Sequence, residues 1–158
     1  MKPEDKKTFN SLTDWQLMGL CIEREAGGEP REGQIAVGTV ILERVDHRSW
    51  DGKTIKEVVL WRWQFSWTMP EAGVSYYDES VKIASSWVEE YRKRKALQEC
   101  CAIATGMLQG EIPRDPDLAK VNCCQYMNPK TAGPGQRDKL LKVGMKVIKT
   151  IGHHEFFA

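Results

Sequence analysis

The chain has 158 residues, of which 41% are hydrophobic and 28% are charged, and its formal net charge is +1. This length suits one domain with a real hydrophobic core, and the near-neutral charge argues against nucleic acid as the primary partner. No stretch approaches the roughly 18 apolar residues of a membrane span, and no apolar run follows the charged N-terminus, so we expect synthesis in the cytoplasm without a signal peptide.

The first well-marked helix is predicted to begin at a capping box, in which Thr13 is the N-cap and Gln16 reaches back to it. Apolar side chains then follow on one helical face at steps of three and four: Trp15, Met18 and Ile22. Glu25 comes at the same spacing, and is therefore expected at the C-terminal end of the face that turns toward the core.

A corner is predicted directly after Glu25. Gly27 and Gly28 are typical helix stops, because glycine takes the left-handed conformation at little cost. Pro30 suits the first turn of a following helix and biases Glu29 away from the α region. That second helix is expected from about Pro30 to Val45, and its nearly continuous apolar surface indicates a buried central helix.

Glu25 is the candidate general acid. Partial burial disfavours a charged carboxylate, and so does the negative end of its own helix dipole, so both are expected to raise the pKa of Glu25. A carboxylic acid that stays protonated near neutral pH is what cleavage of a glycosidic bond requires. The alternative is that Glu25 merely ends the helix and points into solvent.

Tryptophans dominate the next region. A second capping box at Thr54 predicts a short helix through Leu60. Apolar and polar residues then alternate from Trp61 to Trp67, which favours a half-buried strand or an extended loop. The indoles could form a platform for sugar rings, with Gln64 or Ser66 bonding hydroxyl groups, or they could form a hydrophobic lid on the core.

The rest of the chain is predicted to be helical with irregular connections. We expect helices at about 78–94 and 96–109, which can also form one continuous helix, and a further helix at about 138–149. Proline, glycine and aspartate indicate loops at 113–117, 126–129 and 133–135. The adjacent His153 and His154 near the end are typical of turn or solvent-facing positions.

Five cysteines are present, and with no secretion signal they are expected to be reduced and mostly buried. The adjacent pairs at 100–101 and 123–124 lack the Cys-x-x-Cys spacing with which two thiolates converge on one ion. We therefore expect no metal and no cofactor, with a structural zinc site as the alternative.

The chain resembles the SleB-type cell wall hydrolases, a family that includes spore-cortex-lytic enzymes and phage relatives. The resemblance covers about residues 12–157. It is carried, in order, by these segments: Glu25–Pro30, Gly33–Val37, Val40–Val45, Trp63–Trp67, Tyr126–Ala132 and Ile151–Phe157.

The resemblance implies one α+β catalytic domain over residues 1–158, mainly helical and distantly lysozyme-like. It implies cleavage of peptidoglycan glycan strands between N-acetylmuramic acid and N-acetylglucosamine, commonly as a lytic transglycosylase. The family's catalytic glutamate falls on Glu25. Two positions depart from the family pattern: Glu43 stands where asparagine is usual, which puts groove polarity in doubt, and Gly28 stands where arginine is frequent.

A lytic transglycosylase needs one carboxylic acid, whereas a two-carboxylate hydrolase needs a second acid across the scissile bond. Glu29 and Glu32 are the candidates for the second acid, although Glu29 can instead act as a helix-start anion that supports the site. The remaining residues expected to bind or position the saccharide are Gln34, Gln64, Trp67, Tyr126 and Asn128.

Two other functions stay open, a non-catalytic saccharide-binding or structural phage protein and a zinc amidase. The expected setting is a monomeric phage endolysin that acts on peptidoglycan after a pore-forming partner releases it from the host cytoplasm.

Overall fold

The computed structural model describes residues 1–48, 52–62, 64–70 and 76–158, apart from the side chain of Tyr76. This part of the chain contains nine α-helices, one short 3-10 helix at Ser66–Thr68 and a three-stranded sheet, so the predicted mainly helical α+β class is confirmed. The helices are α1 (Pro3–Asn10), α2 (Asp14–Ala26), α3 (Arg31–His47), α4 (Ile55–Leu60), α5 (Tyr76–Ser85), α6 (Trp87–Lys93), α7 (Lys95–Leu108), α8 (Pro116–Lys120) and α9 (Gln136–Lys142). The strands are β1 (Gln125–Met127), β2 (Val147–Ile151) and β3 (His154–Phe157).

Helix α2 is the centre of the main hydrophobic core and packs against α3, α4 and α7. Its approach to α7 is close, because a Cβ atom added at Gly19 would lie 2.5 Å from Cys101 Sγ. A larger residue would push the two helices apart. The close packing against α7 therefore fixes the position of α2, and with it the position of Glu25 near its C-terminal end.

Helix α3 is buried nearly all round, as predicted. Val37 and Ile41 belong to the main core, while Ala36 and Val40 pack into a smaller cluster with Phe156 of the sheet. The helix is thus sandwiched between the main core and the sheet. It also runs two residues beyond the predicted end at Val45.

The sheet has the antiparallel order β1-β3-β2. Tyr126 of β1 lies opposite Phe156 of β3, and Ile151 of β2 lies opposite His154. The turn between β2 and β3 is at Gly152. Because β3 is the middle strand, it fixes the position of β1 relative to the rest of the molecule.

The corner after α2 confirms some predictions and corrects others. The capping box is present, since Thr13 N donates to Gln16 Oε1 at 2.8 Å. Gly27, however, has the right-handed backbone φ −60°, ψ −26°, and Gly28 has no positive φ either, so the left-handed stop is wrong. The chain instead continues one more turn beyond the helix, in which Glu29 N bonds to Ala26 O at 3.0 Å. Pro30 is the N-cap of α3 rather than its first residue.

The described residues of the tryptophan-rich segment do not form the predicted strand. Helix α4 begins at the predicted cap, where Thr54 Oγ1 accepts from Glu57 N. The described residues after it form a turn, with Gln64 N bonded to Trp61 O at 3.3 Å, and then the 3-10 helix. Phe65 and Trp67 enter the core from this irregular backbone. Trp63 and residues 49–51 and 71–75 lie outside the described residues.

The predicted helix at 78–94 is two helices. Ser86 and Arg94 have non-helical backbone angles, so α5, α6 and α7 are separate and the continuous-helix alternative is wrong. The side chain of Gln98 bonds to Tyr91 O at 2.8 Å near the second break. The helix expected at 96–109 is confirmed as α7.

The last third departs most from prediction. The helix expected at 138–149 ends at Lys142, and Gly144 has φ +90°, after which Val147–Ile151 form β2. The loop expected at 113–117 contains the start of α8, which is capped by the side chain of Asp115. Strand β1 overlaps the loop that the sequence predicts at 126–129, because three residues are too few to show the alternation typical of a strand.

All five cysteines are free, and four are fully buried, as predicted. None of the described helices combines the length and apolar character that would let it cross a bilayer.

Gly152 is expected to be required at the β2–β3 turn. Its φ is +56°, and a Cβ atom there would overlap the Glu29 carboxylate. We expect Gly152→Ala to lower the free energy of unfolding by about 1–3 kcal/mol, because backbone strain and displacement of Glu29 act together. Urea denaturation measures this. In the matched control, Gly28→Ala, no atom lies within 4 Å of the new methyl group, so a comparable loss there, or none in Gly152→Ala, would contradict the assignment.

Candidate active site

Glu25 lies in the last turn of α2 and faces a cleft of about 580 Å³. The walls of this main cleft come from α2, α3, the 3-10 helix, β1 with its following loop, α9 and β3. Among the described residues that line it, Glu25 is the single acidic side chain. The other polar residues of the lining are Arg24, Arg44, Gln64, Ser66, Gln125, Tyr126, Asn128, Thr131, Gln136 and His154.

The Glu25 carboxyl is hydrogen-bonded to Tyr126, whose hydroxyl donates to Glu25 Oε2 at 2.9 Å. Burial raises the pKa of Glu25, and this outweighs the Tyr126 hydrogen bond and the charge of Arg44, which both lower it. The prediction that burial raises the pKa of Glu25 is confirmed, and the alternative of a solvent-pointing side chain is wrong. The contribution of the helix dipole stays a prediction.

Tyr126 is held in place by the sheet and by its ring contacts. The ring centroid lies 5.2 Å from that of His154, in an edge-to-face arrangement, and 5.7 Å from that of Phe156. Burial, together with the nearby Glu25, raises the pKa of Tyr126 well above its ordinary value. The hydroxyl therefore stays protonated and can only donate to an ionised Glu25.

Arg44 supplies a buried positive charge at the same cleft. It is 3% exposed, its Nε donates to Cys124 O at 2.9 Å, and its guanidinium lies 5.1 Å from the centre of the Phe65 ring. The charge lowers the pKa of Glu25 and of Tyr126, against the effect of burial. Arg44 thus favours the carboxylate form of Glu25.

His154 belongs to the lining as a neutral ring. It is 6% exposed, and burial lowers its pKa, which outweighs the opposing effect of Glu29. The expectation of a solvent-facing pair is therefore wrong for His154, although His153 does lie exposed at the turn. The alternation of His154 with Phe156 along β3 is the sequence signal for its inward position.

Glu29 and Gln34 lie outside the lining of the main cleft. Glu29 Oε2 accepts from His153 N at 3.0 Å, and Glu29 Oε1 lies 2.7 Å from His153 Nδ1. Desolvation raises the pKa of Glu29, but the bonds from His153 outweigh it and the pKa is lowered. Gln34 Nε2 donates to Glu29 O at 3.3 Å. These two residues brace the α2–α3 corner against the hairpin that carries His154.

The other predicted saccharide-binding residues fall into two groups. Gln64 and Asn128 line the cleft, where Gln64 Oε1 accepts from Arg48 at 3.1 Å and Asn128 Oδ1 accepts from Lys130 N at 3.0 Å. Trp67 borders the cleft but is 1% exposed and packs edge-on against Phe9, with ring centroids 5.6 Å apart. Its indole face is not available for stacking on a sugar, so Trp67 acts as the lid on the core.

Glu43 does not change the polarity of the main cleft. It is 2% exposed and pairs with Arg114 at 2.6 Å, and His47 lies 3.3 Å from its other oxygen. Arg114 therefore compensates the charge of Glu43, and this ion pair lies outside the lining of the main cleft. The second candidate for an opposing acid, Glu32, is exposed to solvent outside the lining.

Sequence reasoning missed Arg44 and His154 as parts of the site. For Arg44 a sequence signal exists, because a charged residue inside a nearly all-apolar helix indicates a buried, paired charge. In the part of the chain that the structure describes, no three His, Cys, Asp or Glu side chains are grouped so as to hold a metal ion.

The sequence pattern of the cell wall hydrolase family matches residues 28–157, which is most of the chain. The chain therefore belongs to this family of enzymes, and the resemblance seen in the sequence is confirmed.

Two solved structures are similar to this one. The catalytic domain of the germination-specific lytic transglycosylase SleB from Bacillus anthracis is 25% identical with a TM-score of 0.60, and the match covers 94% of this chain and 98% of that one. The catalytic domain of the Bacillus cereus SleB protein is also 25% identical, with a TM-score of 0.56, and the match covers 92% and 89%. Among curated proteins, none matches the chain.

Loss of the Tyr126 hydroxyl is expected to change the pH dependence of activity. Tyr126→Phe removes a bond that favours the Glu25 carboxylate, so the pKa of Glu25 rises further and the basic limb of the pH–rate profile moves to higher pH. The rate at the optimum should fall on the order of tenfold, because the acid loses its positioning partner. Turbidity loss of purified cell walls across pH measures both effects.

Tyr91→Phe is the matched control, because it makes the same chemical change in an aromatic cluster with Trp15 and Trp87. Its profile should equal that of the unmodified enzyme. A basic limb that stays in place in Tyr126→Phe would show that Glu25 is not the group that titrates.

Proposed function

We propose that the chain cleaves peptidoglycan glycan strands as a lytic transglycosylase, with Glu25 as the catalytic acid and base. The observation that carries this proposal is that Glu25 is the one carboxyl among the described residues lining the main cleft. Membership of the cell wall hydrolase family and the likeness to two SleB catalytic domains support the substrate class. The family match begins at residue 28, so the role of Glu25 itself is inferred from the site.

The first step needs a protonated acid. With its pKa raised by burial, Glu25 donates its proton to the glycosidic oxygen as the bond from that oxygen to the muramic acid C1 breaks. Glu25 is then a carboxylate, and the Tyr126 hydroxyl and the Arg44 charge stabilise it. Both interactions are weaker with a neutral acid, so they favour the transition state over the ground state.

The second step uses the same carboxylate as a base. It removes the proton from the 6-hydroxyl of the muramic acid residue, whose oxygen forms a bond to C1 and closes a 1,6-anhydro ring. Glu25 is thereby protonated again, and no water is consumed. Gln64 and Asn128, with amide groups in the same cleft, are placed to hold the sugar hydroxyl and acetamido groups.

Mass spectrometry of digested peptidoglycan tests the proposal. Lytic transglycosylation predicts anhydro-muramic acid ends, which are one water lighter than the reducing ends of a muramidase product. Reducing ends would contradict transglycosylation, free stem peptides would indicate an amidase, and an unchanged digest would leave only a saccharide-binding function.

The same digests test the role of Glu25. Glu25→Gln should lower the rate on the order of 10²–10⁴-fold, because general acid–base catalysis is lost. Glu29→Gln makes the same change on a carboxyl outside the cleft, so it should lower the rate less and act mainly through stability. Equal and complete losses in two well-folded variants would favour a two-carboxylate hydrolase instead.

We further propose that the chain is a phage endolysin that works as a monomer. Five free thiols suit folding in a reducing compartment. Expression alone in a bacterial host should then be tolerated, whereas co-expression with a pore-forming partner should cause lysis, measured as loss of culture turbidity. Lysis on expression alone, or recovery of the chain in purified virions, would contradict this setting.

A further inference from the structure

Two further cavities each share lining residues with the main cleft. The main cleft shares Arg24 and Glu25 with a second cavity of about 480 Å³, and shares Met69 with a third cavity of about 290 Å³. Glu25 thus lies between the main cleft and the second cavity, as an acid must if a polymer is to extend to both sides of the cleaved bond. The third cavity is lined in part by Thr68, at the end of the 3-10 helix, and by Met69, which follows it.

Trp61 is the most informative residue of the third cavity. It is 43% exposed, although tryptophan has a large apolar surface that is usually covered. It follows directly after α4, whose Leu60 also lines this cavity. Trp67, by contrast, is buried in the main core. Of the described tryptophans in the 61–67 segment, Trp61 therefore retains an exposed indole that a ligand can cover.

The rest of the third cavity combines apolar and cationic groups. Met69 and Leu60 continue the apolar wall, while Lys6 and Arg62 contribute positive charge, and no carboxylate occurs among the described residues of its lining. An aromatic face packs on the apolar face of a pyranose ring, and cations attract carboxylates. Peptidoglycan offers both groups, since its N-acetylated sugars carry acidic lactyl and peptide substituents.

We propose that the third cavity is a distal saccharide subsite, in which the Trp61 indole binds one N-acetylated sugar of a glycan strand that continues from the main cleft. The proposal rests on the proposed function for the identity of the strand. It commits to a sugar as occupant because the cavity combines an exposed indole with positive charge and shares the Met69 side of its lining with the cleft that holds Glu25.

Ligand binding to an inactive variant tests the proposed subsite independently of catalysis. In full-length Glu25→Gln, isothermal titration calorimetry is carried out with two neutral probes, the hexamer and the dimer of N-acetylglucosamine. Adding Trp61→Ala should weaken hexamer binding about tenfold, equivalent to about 1.4 kcal/mol. Dimer binding should be unchanged, because the dimer fits within the main cleft. Val88→Ala, at an exposed apolar residue outside all three cavities, is the control and should alter neither.

The charged residues are tested with a second ligand. Lys6→Gln should weaken binding of peptide-bearing glycan strands and leave the neutral hexamer unaffected. In the active enzyme, Trp61→Ala should raise KM for long strands and leave kcat unchanged.

Equal hexamer binding with and without Trp61, or an equal loss for hexamer and dimer, would overturn the subsite. An enzyme that cleaves no peptidoglycan but shows Trp61-dependent hexamer binding would instead refute the proposed function and keep the subsite. A folded Trp61→Ala protein is verified by an unchanged unfolding transition, and Trp61→Phe, which keeps an aromatic face, should recover part of the affinity.

Discussion

The hydrogen bond between Tyr126 Oη and Glu25 Oε2 is the interaction on which the site depends, because it joins groups 101 residues apart in the chain. Glu25 is positioned by the end of α2, and Tyr126 is positioned by β1. The position of α2 does not determine the position of β1, and the position of β1 does not determine that of α2. The bond forms only if the sheet docks on α3 with its correct register, so the packing of Phe156 against Ala36 and Val40 is a condition for an oriented acid.

A second set of hydrogen bonds connects the corner between α2 and α3 to the sheet. Glu29 accepts hydrogen bonds from His153 at the β2–β3 turn, and Gln34 holds the backbone of Glu29. The corner between α2 and α3 is thereby fixed to the strand that carries His154 and pairs with β1. Glu29 thereby connects the corner to the sheet, and the hydrogen bonds from His153 lower the pKa of Glu29, which favours its carboxylate form.

What could be predicted from the sequence is what short-range chemistry determines. The capping residues Thr13 and Thr54 gave correct helix starts, and helical spacing placed Glu25 on the buried face. The errors lie where distant partners decide the conformation. Residues 147–149 resemble the end of a helix, but they pair with β3 as part of β2, and His154 is buried because the sheet covers the smaller cluster.

The position of the buried Arg44 charge also depends on distant partners, and in the proposed mechanism this charge helps one carboxyl to serve as both acid and base. Burial alone would hold Glu25 protonated and make it a poor base, whereas a cation and a hydroxyl donor alone would keep it ionised and make it a poor acid. Arg44 is fixed by Cys124 O and Phe65, so its charge acts from a constant position. The opposing effects act on the same carboxyl, and the proposed mechanism uses both of its forms, the acid to protonate the leaving oxygen and the carboxylate to take a proton from the 6-hydroxyl group.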